Sequence, residues 1–264
     1  MHEHHGHPEG LAVDLKRIAL LEQRRRILKL FGGAGLLLGG LACGVGGGSG
    51  TTPTGGSCSK IPEETGGPYP ADGTNGVNAL TQTGIVRSDI RTSFGSYSGT
   101  APGVPLDITL SLVAANAACE PLVGYAVYLW HATQDGLYSL YTKQNENYLR
   151  GVQESDADGK VTFKTIFPGC YDGRWPHVHF EIFPTLQSAT TATSKLSTSQ
   201  LALPQDVCSE VYGASGYEAS VSNLSRVSLD SDNVFRDGYS TQVATVTGAV
   251  ASGLTASLLM GVNV

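Results

Sequence analysis

The chain has 264 residues, enough for one globular domain with extensions, and its 34 glycines favour a fold rich in turns. The formal net charge of -6 is uneven: residues 1–43 hold six Lys and Arg against four Asp and Glu, and the remaining residues hold 11 against 19. A body this acidic argues against nucleic acid as a partner.

Residues 1–43 have the order of an export signal. Four of the seven histidines fall within the first seven residues, which we interpret as a solvated leader rather than a metal site. The basic stretch Arg24–Lys29 precedes an apolar, glycine-rich run, Leu30–Ala42. A run of about 13 residues is shorter than the roughly 20 that a membrane-spanning helix needs. The arginines resemble a twin-arginine signal.

The signal ends in Leu41-Ala42-Cys43-Gly44, which resembles a bacterial lipobox with Cys43 as a candidate lipid anchor. Cleavage without lipidation is the alternative. The sequence therefore predicts an exported protein: periplasmic, a lipoprotein of the outer membrane or cell surface, or secreted. Residues 44–57 form a flexible linker of Gly, Ser and Thr, so the predicted domain is 58–264.

Export gives the cysteines after the signal a structural meaning. No Cys-x-x-Cys occurs, so disulfides are favoured over thiolate ligands. Four cysteines allow three pairings, and the sequence does not choose between them. These cysteines are Cys58, Cys119, Cys170 and Cys208.

The first predicted strands of the domain alternate apolar and polar residues. Ile85–Arg91 has the pattern of a half-buried strand or strand end, with Arg87, Asp89 and Arg91 as a salt-bridge ladder. Val104–Val113 is a strand whose leucines and isoleucine at 106, 108, 110 and 112 point inward.

Three further strands and a hairpin follow. The strands are Tyr125–Trp130, Lys160–Ile166 and His177–Phe183, and the hairpin is Gln242–Val264. Residues 184–215 are predicted to be a surface loop with a short helix near 198–212, pinned by Cys208. Short strands and frequent turns predict an all-β fold: a single β-sandwich domain with mainly antiparallel strands and no second domain.

The strand His177–Phe183 carries the candidate chemistry. Side chains alternate faces along a strand, so His177 and His179 point the same way, while Val178, Phe180 and Ile182 point into a core. Two imidazoles on one strand face can hold one metal ion. Only His131 is found elsewhere in the body, so the pair holds two of its three histidines.

Two tyrosines can join the histidine pair. Tyr171 ends the turn Phe167–Tyr171, and Tyr138 follows the turn Thr133–Gly136; Tyr141 or Tyr148 could replace Tyr138. Zinc sites rarely use tyrosine, and Fe(II) sites pair two histidines with a carboxylate. Phenolates are hard anionic donors that suit a trivalent ion such as Fe(III), which can ionise phenols that otherwise titrate near pH ~10.

Four motifs, in order, resemble the intradiol ring-cleavage dioxygenases, a family that includes protocatechuate 3,4-dioxygenase and catechol 1,2-dioxygenase. They read YLWHATQDGLY from Tyr128, SDADG from Ser155, FKTIFPGCY from Phe163 and RWPHVHF from Arg174, within a resemblance that covers residues 62–183. The resemblance implies a β-sandwich with a non-haem Fe(III) ion. The implied ligands are Tyr138, Tyr171, His177 and His179.

The resemblance also implies a reaction. An aromatic diol of the catechol type and O2 would give a muconate-type dicarboxylate, with Tyr171 taking a proton and Arg174 stabilising negative charge on the ring. The spacing from Tyr171 to His177 is shorter than in the cytoplasmic members, and we expect no helical dimerisation domain before the sandwich. The ring substituents of the substrate and the oligomeric state are therefore left open.

Two other functions compete with the enzyme. One is a non-catalytic exported β-sandwich that binds aromatic or carbohydrate material. The other is an iron-binding lipoprotein that turns nothing over. The presence of all four ligand types favours the enzyme, because a relic site need not keep them.

Overall fold

Alternating apolar and polar side chains build the first of two sheets. A computed structural model describes residues 58–264; the predicted export signal, the candidate anchor Cys43 and the linker 44–57 lie outside the described residues. The first sheet has the order β4-β1-β8-β7, in which β1 pairs antiparallel with β4 and parallel with β8. Its strands are β1 (Pro105–Ala114), β4 (Lys160–Ile166), β7 (Thr245–Ala249) and β8 (Gly253–Val262).

The second sheet is antiparallel throughout and has the order β3-β2-β5-β6. In three of its four strands, β2, β5 and β6, every residue is buried. A sheet covered on both faces cannot show the polar alternation of a half-exposed one. Its strands are β2 (Ala126–Trp130), β3 (Arg150–Glu154), β5 (His177–Phe183) and β6 (Ser197–Ala202).

The inward faces of the two sheets meet in one apolar core. Leu106, Ile108 and Leu110 of β1 lie in the same cluster as Phe180 and Ile182 of β5, all fully or almost fully buried. The predicted inward residues of both strands are therefore confirmed. This core fixes the opposite face of β5, which carries His177 and His179, on the outside of the sandwich.

Helices are short and lie after the second sheet. They are α1 (Gln205–Val211) and α2 (Glu218–Leu224), with 3-10 turns at Leu186–Ser188 and Ala192–Ser194. Within residues 58–264, no helix combines the length and the apolar character needed to cross a membrane.

The predicted β-sandwich is confirmed, and two local predictions are wrong. Ile85–Arg91 forms only isolated bridges, at Val86 and Asp89, and its ion pair joins Asp89 to Arg91 at 2.6 Å. Arg87 instead donates to the backbone carbonyl of Arg150. A guanidinium held by carbonyls cannot be a rung of the predicted ladder.

The Ser/Thr-rich stretch 184–215 is not mainly a surface loop. It contains the buried strand β6, because this edge of the sheet is covered by other segments, and the short helix α1 falls inside the predicted window. Cys58 and Cys119 form a disulfide, whereas Cys170 and Cys208 are buried free thiols. Cys208 therefore holds its helix by burial in the core rather than by a bridge.

Candidate active site

The outward face of the second sheet is a buried polar surface. In register, Arg150, Trp130, His179 and Gln200 form one row across all four strands. Trp130 stacks on the His179 ring with centroids 4.9 Å apart and planes 3° from parallel. Burial of these groups is unusual unless each has a partner. The row therefore marks where the chain keeps polar side chains out of water.

The two histidines of β5 converge through their Nε2 atoms. The two Nε2 atoms lie 3.0 Å apart, and the Tyr171 hydroxyl lies 3.2 Å from Nε2 of His177. His177 Nδ1 lies 2.5 Å from the carbonyl oxygen of Trp175, so this nitrogen carries the proton. Its Nε2 therefore presents a lone pair to the centre of the cluster.

Both imidazoles are neutral at ordinary pH. Burial, followed by the charge of Arg174, lowers the pKa of His177 to about 3. Burial, followed by the neighbouring His177, lowers the pKa of His179 well below its usual value. Metal binding requires neutral imidazoles, so the site holds them in the form that can coordinate an ion.

Tyr171 is fixed by helices that follow in the chain. The hydroxyls of Tyr212 and Tyr217 donate to the carbonyls of Pro168 and Phe167, at 3.0 and 2.7 Å. Farther along the same turn, Asn223 of α2 donates to the Cys170 carbonyl at 2.7 Å. The turn that presents Tyr171 to His177 is therefore held against the body just before the tyrosine.

Tyr138 reaches the same cluster from the loop after β2. Its ring lies 6.0 Å from the ring of Tyr171 and 6.3 Å from that of His179, centroid to centroid. Its hydroxyl is buried and makes no contact that meets hydrogen-bond geometry. Burial, with the nearby Tyr171 phenol, raises the pKa of Tyr138 well above 10. A buried hydroxyl that has another phenol as its neighbour and makes no well-aligned hydrogen bond is a group that a bound ion would explain.

The two alternative tyrosines lie elsewhere. The Tyr141 hydroxyl donates to Asn75 and accepts from the backbone of Ala71, each at 2.9 Å. Tyr148 packs in a separate apolar cluster with Leu149. Of the three candidates, the structure thus brings Tyr138 to the histidine pair.

The segment 62–70, which we name the arm, covers the cluster from the other side. Gly67 has a φ of +68°, and a Cβ there would lie 3.4 Å from Cε1 of His179. Glycine thus lets the backbone pass close to the imidazole. The Tyr69 ring packs on Tyr138 with centroids 4.9 Å apart. Nothing in the sequence pattern of the arm predicts this role.

Arg174 is buried, with 3% of its side chain exposed. Its Nη2 donates to Gln200 Oε1 at 2.6 Å, and its Nε donates to Asp232 at 2.9 Å. The sequence pointed to Arg174 but missed both partners, because Gln200 lies where a short helix within a surface loop was predicted and Asp232 lies in a predicted turn. Their joint position is set only by tertiary folding.

The donor set fits a trivalent metal ion. Within residues 58–264 no three His, Cys, Asp or Glu side chains cluster as a metal site. The two imidazole Nε2 atoms nevertheless lie 3.0 Å apart, and the Tyr171 hydroxyl lies 3.2 Å from that of His177. The buried Tyr138 ring packs beside Tyr171 and His179. Phenols must complete such a site, and as phenolates they are hard donors that favour a trivalent ion over zinc. The residues that would hold the ion are Tyr138, Tyr171, His177 and His179.

Comparisons with known proteins find similarity to dioxygenases. A family profile described as "Dioxygenase" matches residues 87–207. Catechol 1,2-dioxygenase 1 of Acinetobacter lwoffii is 31% identical over an alignment of 99 positions, which covers 30% of this chain and 31% of that protein. The chain thus matches about a third of the length of this curated relative.

Solved structures extend the likeness to most of the domain. An intradiol ring-cleavage dioxygenase from Tetranychus urticae is 26% identical with a TM-score of 0.60, covering 78% of this chain and 95% of that one. The dioxygenase domain of a dioxygenase carbohydrate-binding protein fusion from Streptomyces sp. SirexAA-E is 22% identical with a TM-score of 0.50 and covers 78% and 99%. The second likeness is one of fold alone.

Proposed function

We propose that the chain belongs to the intradiol ring-cleavage dioxygenase family, which the matches to a dioxygenase profile and to a solved intradiol dioxygenase support. We propose further that it is an Fe(III)-dependent enzyme that cleaves a catechol-type ring with O2 to give a muconate-type dicarboxylate. The observation that carries the proposal is the approach of two imidazole Nε2 atoms to 3.0 Å, with the Tyr171 hydroxyl 3.2 Å from one of them and the buried Tyr138 ring beside Tyr171 and His179. The bound Fe(III) would supply a Lewis acid that holds the catechol oxygens and lets the ring react with O2.

The chain's own residues divide the remaining work. Tyr171 is partly exposed and Tyr138 is buried, so Tyr171 is the phenol that an arriving diol can reach. We assign Tyr171 Oη as the acceptor of a proton from a substrate hydroxyl. Arg174 is a fixed positive charge beside the histidine pair. A preorganised cation in a buried site stabilises negative charge that develops on the substrate ring.

The test is the visible spectrum and iron content of the purified domain, 58–264, with and without catechol. We expect one iron per chain and a broad tyrosinate-to-iron band that shifts when catechol is added. Ring cleavage is followed by ultraviolet absorbance of the dicarboxylate. A folded protein that stays colourless and iron-free after addition of ferric salt would refute the proposal and favour a binding module.

Tyrosine variants separate the candidate ligands. Tyr138→Phe and Tyr171→Phe should each change the visible band, because each removes one phenolate. Tyr141→Phe and Tyr148→Phe are matched controls that leave the band in place. An unchanged band in Tyr138→Phe would show that the assignment of this ligand is wrong.

We also propose that the chain is exported. The basic and apolar order of residues 24–42 supports this, and so does the disulfide Cys58–Cys119, because disulfides persist in oxidising compartments. Intact mass of the protein from a bacterial host should show cleavage near residue 43, and a Cys43→Ser variant should lose any added lipid mass. An uncleaved cytoplasmic product would contradict export.

A further inference from the structure

Asp232 is a carboxylate with no exposed surface, although the sequence around it has the pattern of a solvent-exposed turn. It lies after α2, far along the chain from the motifs that carry the site. Buried carboxylates occur where they are paired and hydrogen-bonded. Its surroundings therefore indicate what it does.

Both oxygens of Asp232 are fully used. Oδ2 accepts from Arg174 Nε at 2.9 Å and from the backbone N–H of Trp175 at 2.7 Å. Oδ1 accepts from the backbone N–H groups of Val234 and Phe235 at 2.7 and 3.2 Å. Four donors fix the plane of the carboxylate, and the two on Oδ1 anchor it to its own turn.

Arg174 is held at a second edge by Gln200. Its Nη2 donates to Gln200 Oε1 at 2.6 Å, and Gln200 Nε2 in turn donates to the carbonyl of Thr65 in the arm at 2.8 Å. A guanidinium is planar, so fixing Nε and one Nη fixes the orientation of the whole group. Asp232 of the C-terminal segment and Gln200 of strand β6 thus hold the Arg174 guanidinium by hydrogen bonds at two of its edges.

We propose that Asp232 is a positioning residue: it locks the Arg174 guanidinium in the orientation from which its charge acts on the substrate ring. This inference rests on the proposed function, because only there does Arg174 face a substrate. Asp232 makes no hydrogen bond to the four candidate ligands, although its charge acts on His177, and it does not contact the substrate in this assignment. It acts through Arg174 and through the backbone of Trp175, two residues before His177.

The variant Asp232→Asn removes this grip with almost no change in shape. An amide presents one oxygen and one NH2 group, and four donors cannot be satisfied by a single acceptor oxygen. The NH2 group of the asparagine must then face either the N–H of Arg174 or the backbone N–H of Val234, and in either case a donor faces a donor. Asp230→Asn is the matched control. Asp230 is exposed and lies two residues away, and its substitution by Asn removes the same charge.

The first experiment is a double-mutant cycle on the iron-loaded chain. We expect Asp232→Asn to lower kcat by about 10- to 100-fold, because small misplacement of a catalytic group costs that much. Catechol affinity, read from the shift of the visible band, should change by less than about 3-fold. In the Arg174→Gln background, Asp232→Asn should lower kcat no further. Multiplicative losses would show that Asp232 acts independently of Arg174 and would overturn the proposal.

The second experiment separates this inference from the proposed function. In the full chain prepared without iron, the Arg174 Nε–H resonance is assigned by its loss in Arg174→Gln. It should shift and exchange faster with solvent in Asp232→Asn and stay unchanged in Asp230→Asn. An unchanged resonance in Asp232→Asn overturns the positioning role even if catechol is cleaved. A shifted resonance supports it even if the wild type cleaves no catechol, which would refute the proposed function alone.

Should Asp232→Asn fail to fold, Asp232→Glu carries the same two measurements. Glutamate keeps both acceptors but moves them by one methylene, so Arg174 stays paired in a displaced position. We expect kcat to fall less than in Asp232→Asn, with catechol affinity unchanged and no further loss in the Arg174→Gln background. Wild-type kcat together with an unshifted Nε–H resonance would overturn the proposal.

Discussion

The outward faces of the two sheets have the same alternating geometry but opposite environments. On the first sheet, the outward residues of β4 and β8 are exposed, and most are Lys, Thr or Ser, as in Lys160, Thr162 and Ser257. On the second sheet, the outward residues include polar side chains that are buried, among them Arg150, His177, His179, Glu181 and Gln200. Polar groups in water carry no penalty, whereas buried ones must be paired.

The difference shows that the second sheet carries buried polar side chains that are not needed for folding alone. The arm, the loop that carries Tyr138 and the C-terminal segment cover the second sheet, and most polar groups beneath them are satisfied. Arg150, for example, donates five hydrogen bonds. The atoms that remain without a partner include Tyr138 Oη and His179 Nδ1. A polar face that is covered yet incompletely satisfied is typical of a site for a bound group.

The largest expected effect comes from deleting one polar side chain at the centre of each face. His179→Ala should remove bound iron, the visible band and ring cleavage, because one imidazole ligand is lost. Ser257→Ala, on β8 and exposed, should keep full activity and change the free energy of unfolding by less than about 0.5 kcal/mol. Iron analysis, spectra and urea unfolding test both. Retained iron in His179→Ala would mean that the site lies elsewhere.

A second pair of variants compares a buried arginine with a partly exposed one. Arg150 is 1% exposed and holds the carbonyls of Tyr69, Pro70 and Ser139. Arg150→Met should lower the free energy of unfolding by at least about 3 kcal/mol, because buried acceptors lose charged donors. Arg91→Met breaks an ion pair with Asp89 whose side chains are 42% and 43% exposed, and should cost about 0–1 kcal/mol.

Urea unfolding at fixed pH measures both losses. Iron retention should also fall in Arg150→Met, because Arg150 ties the loop next to Tyr138 to the arm. Equal losses for the two arginines would remove the contrast between buried and partly exposed polar groups.

The alternating strands could be predicted from sequence because the first sheet obeys one local rule. Period-two alternation places β1 and β4 almost to the residue, and β5 follows from its aromatic and β-branched content. The strand β6, Ser197–Ala202, was predicted as surface loop running into a short helix, because Ser and Thr on a doubly buried strand carry no alternating pattern. Ile85–Arg91 alternates but lies at a margin where only isolated bridges form. Alternation reports one half-exposed face and is silent when both faces are covered.

The candidate site divides in the same way. His177 and His179 share a strand, so their common direction follows from spacing alone. The approach of Tyr138, the arm at Gly67 and the grip of Asp232 on Arg174 depend on segments separated by tens of residues. No local pattern encodes such contacts, because they arise from the way loops cover the sheet.

A third prediction sharpens the orphaned state of Tyr138. In chelator-treated protein, Tyr138→Phe should raise the free energy of unfolding by up to about 1 kcal/mol, since the buried hydroxyl that is removed makes no well-aligned hydrogen bond. With iron bound, the same change should lower stability, because a ligand is lost. Tyr128→Phe is the control of opposite sign: its hydroxyl donates to Pro70 at 2.8 Å, so its loss should destabilise both forms. If metal-free Tyr138→Phe were less stable than the wild type, the Tyr138 hydroxyl would have to make a stabilising hydrogen bond in the metal-free protein.

The smallest expected effect is a pH dependence at the edge of the buried face. Burial alone would raise the pKa of Asp232, but the charge of Arg174 and the backbone donors outweigh it, so the pKa lies below its usual value. The stability that this pair contributes is therefore complete above the unfolded pKa of about 3.9 and is lost as pH falls below it, at about 1.4 kcal/mol per unit of depression. Urea unfolding at pH 6 and pH 3 should show the gap between wild type and Asp232→Asn narrowing in acid. A gap that widens would mean that Asp232 is protonated in the folded chain, and a neutral carboxyl could not balance Arg174 in a face closed to water.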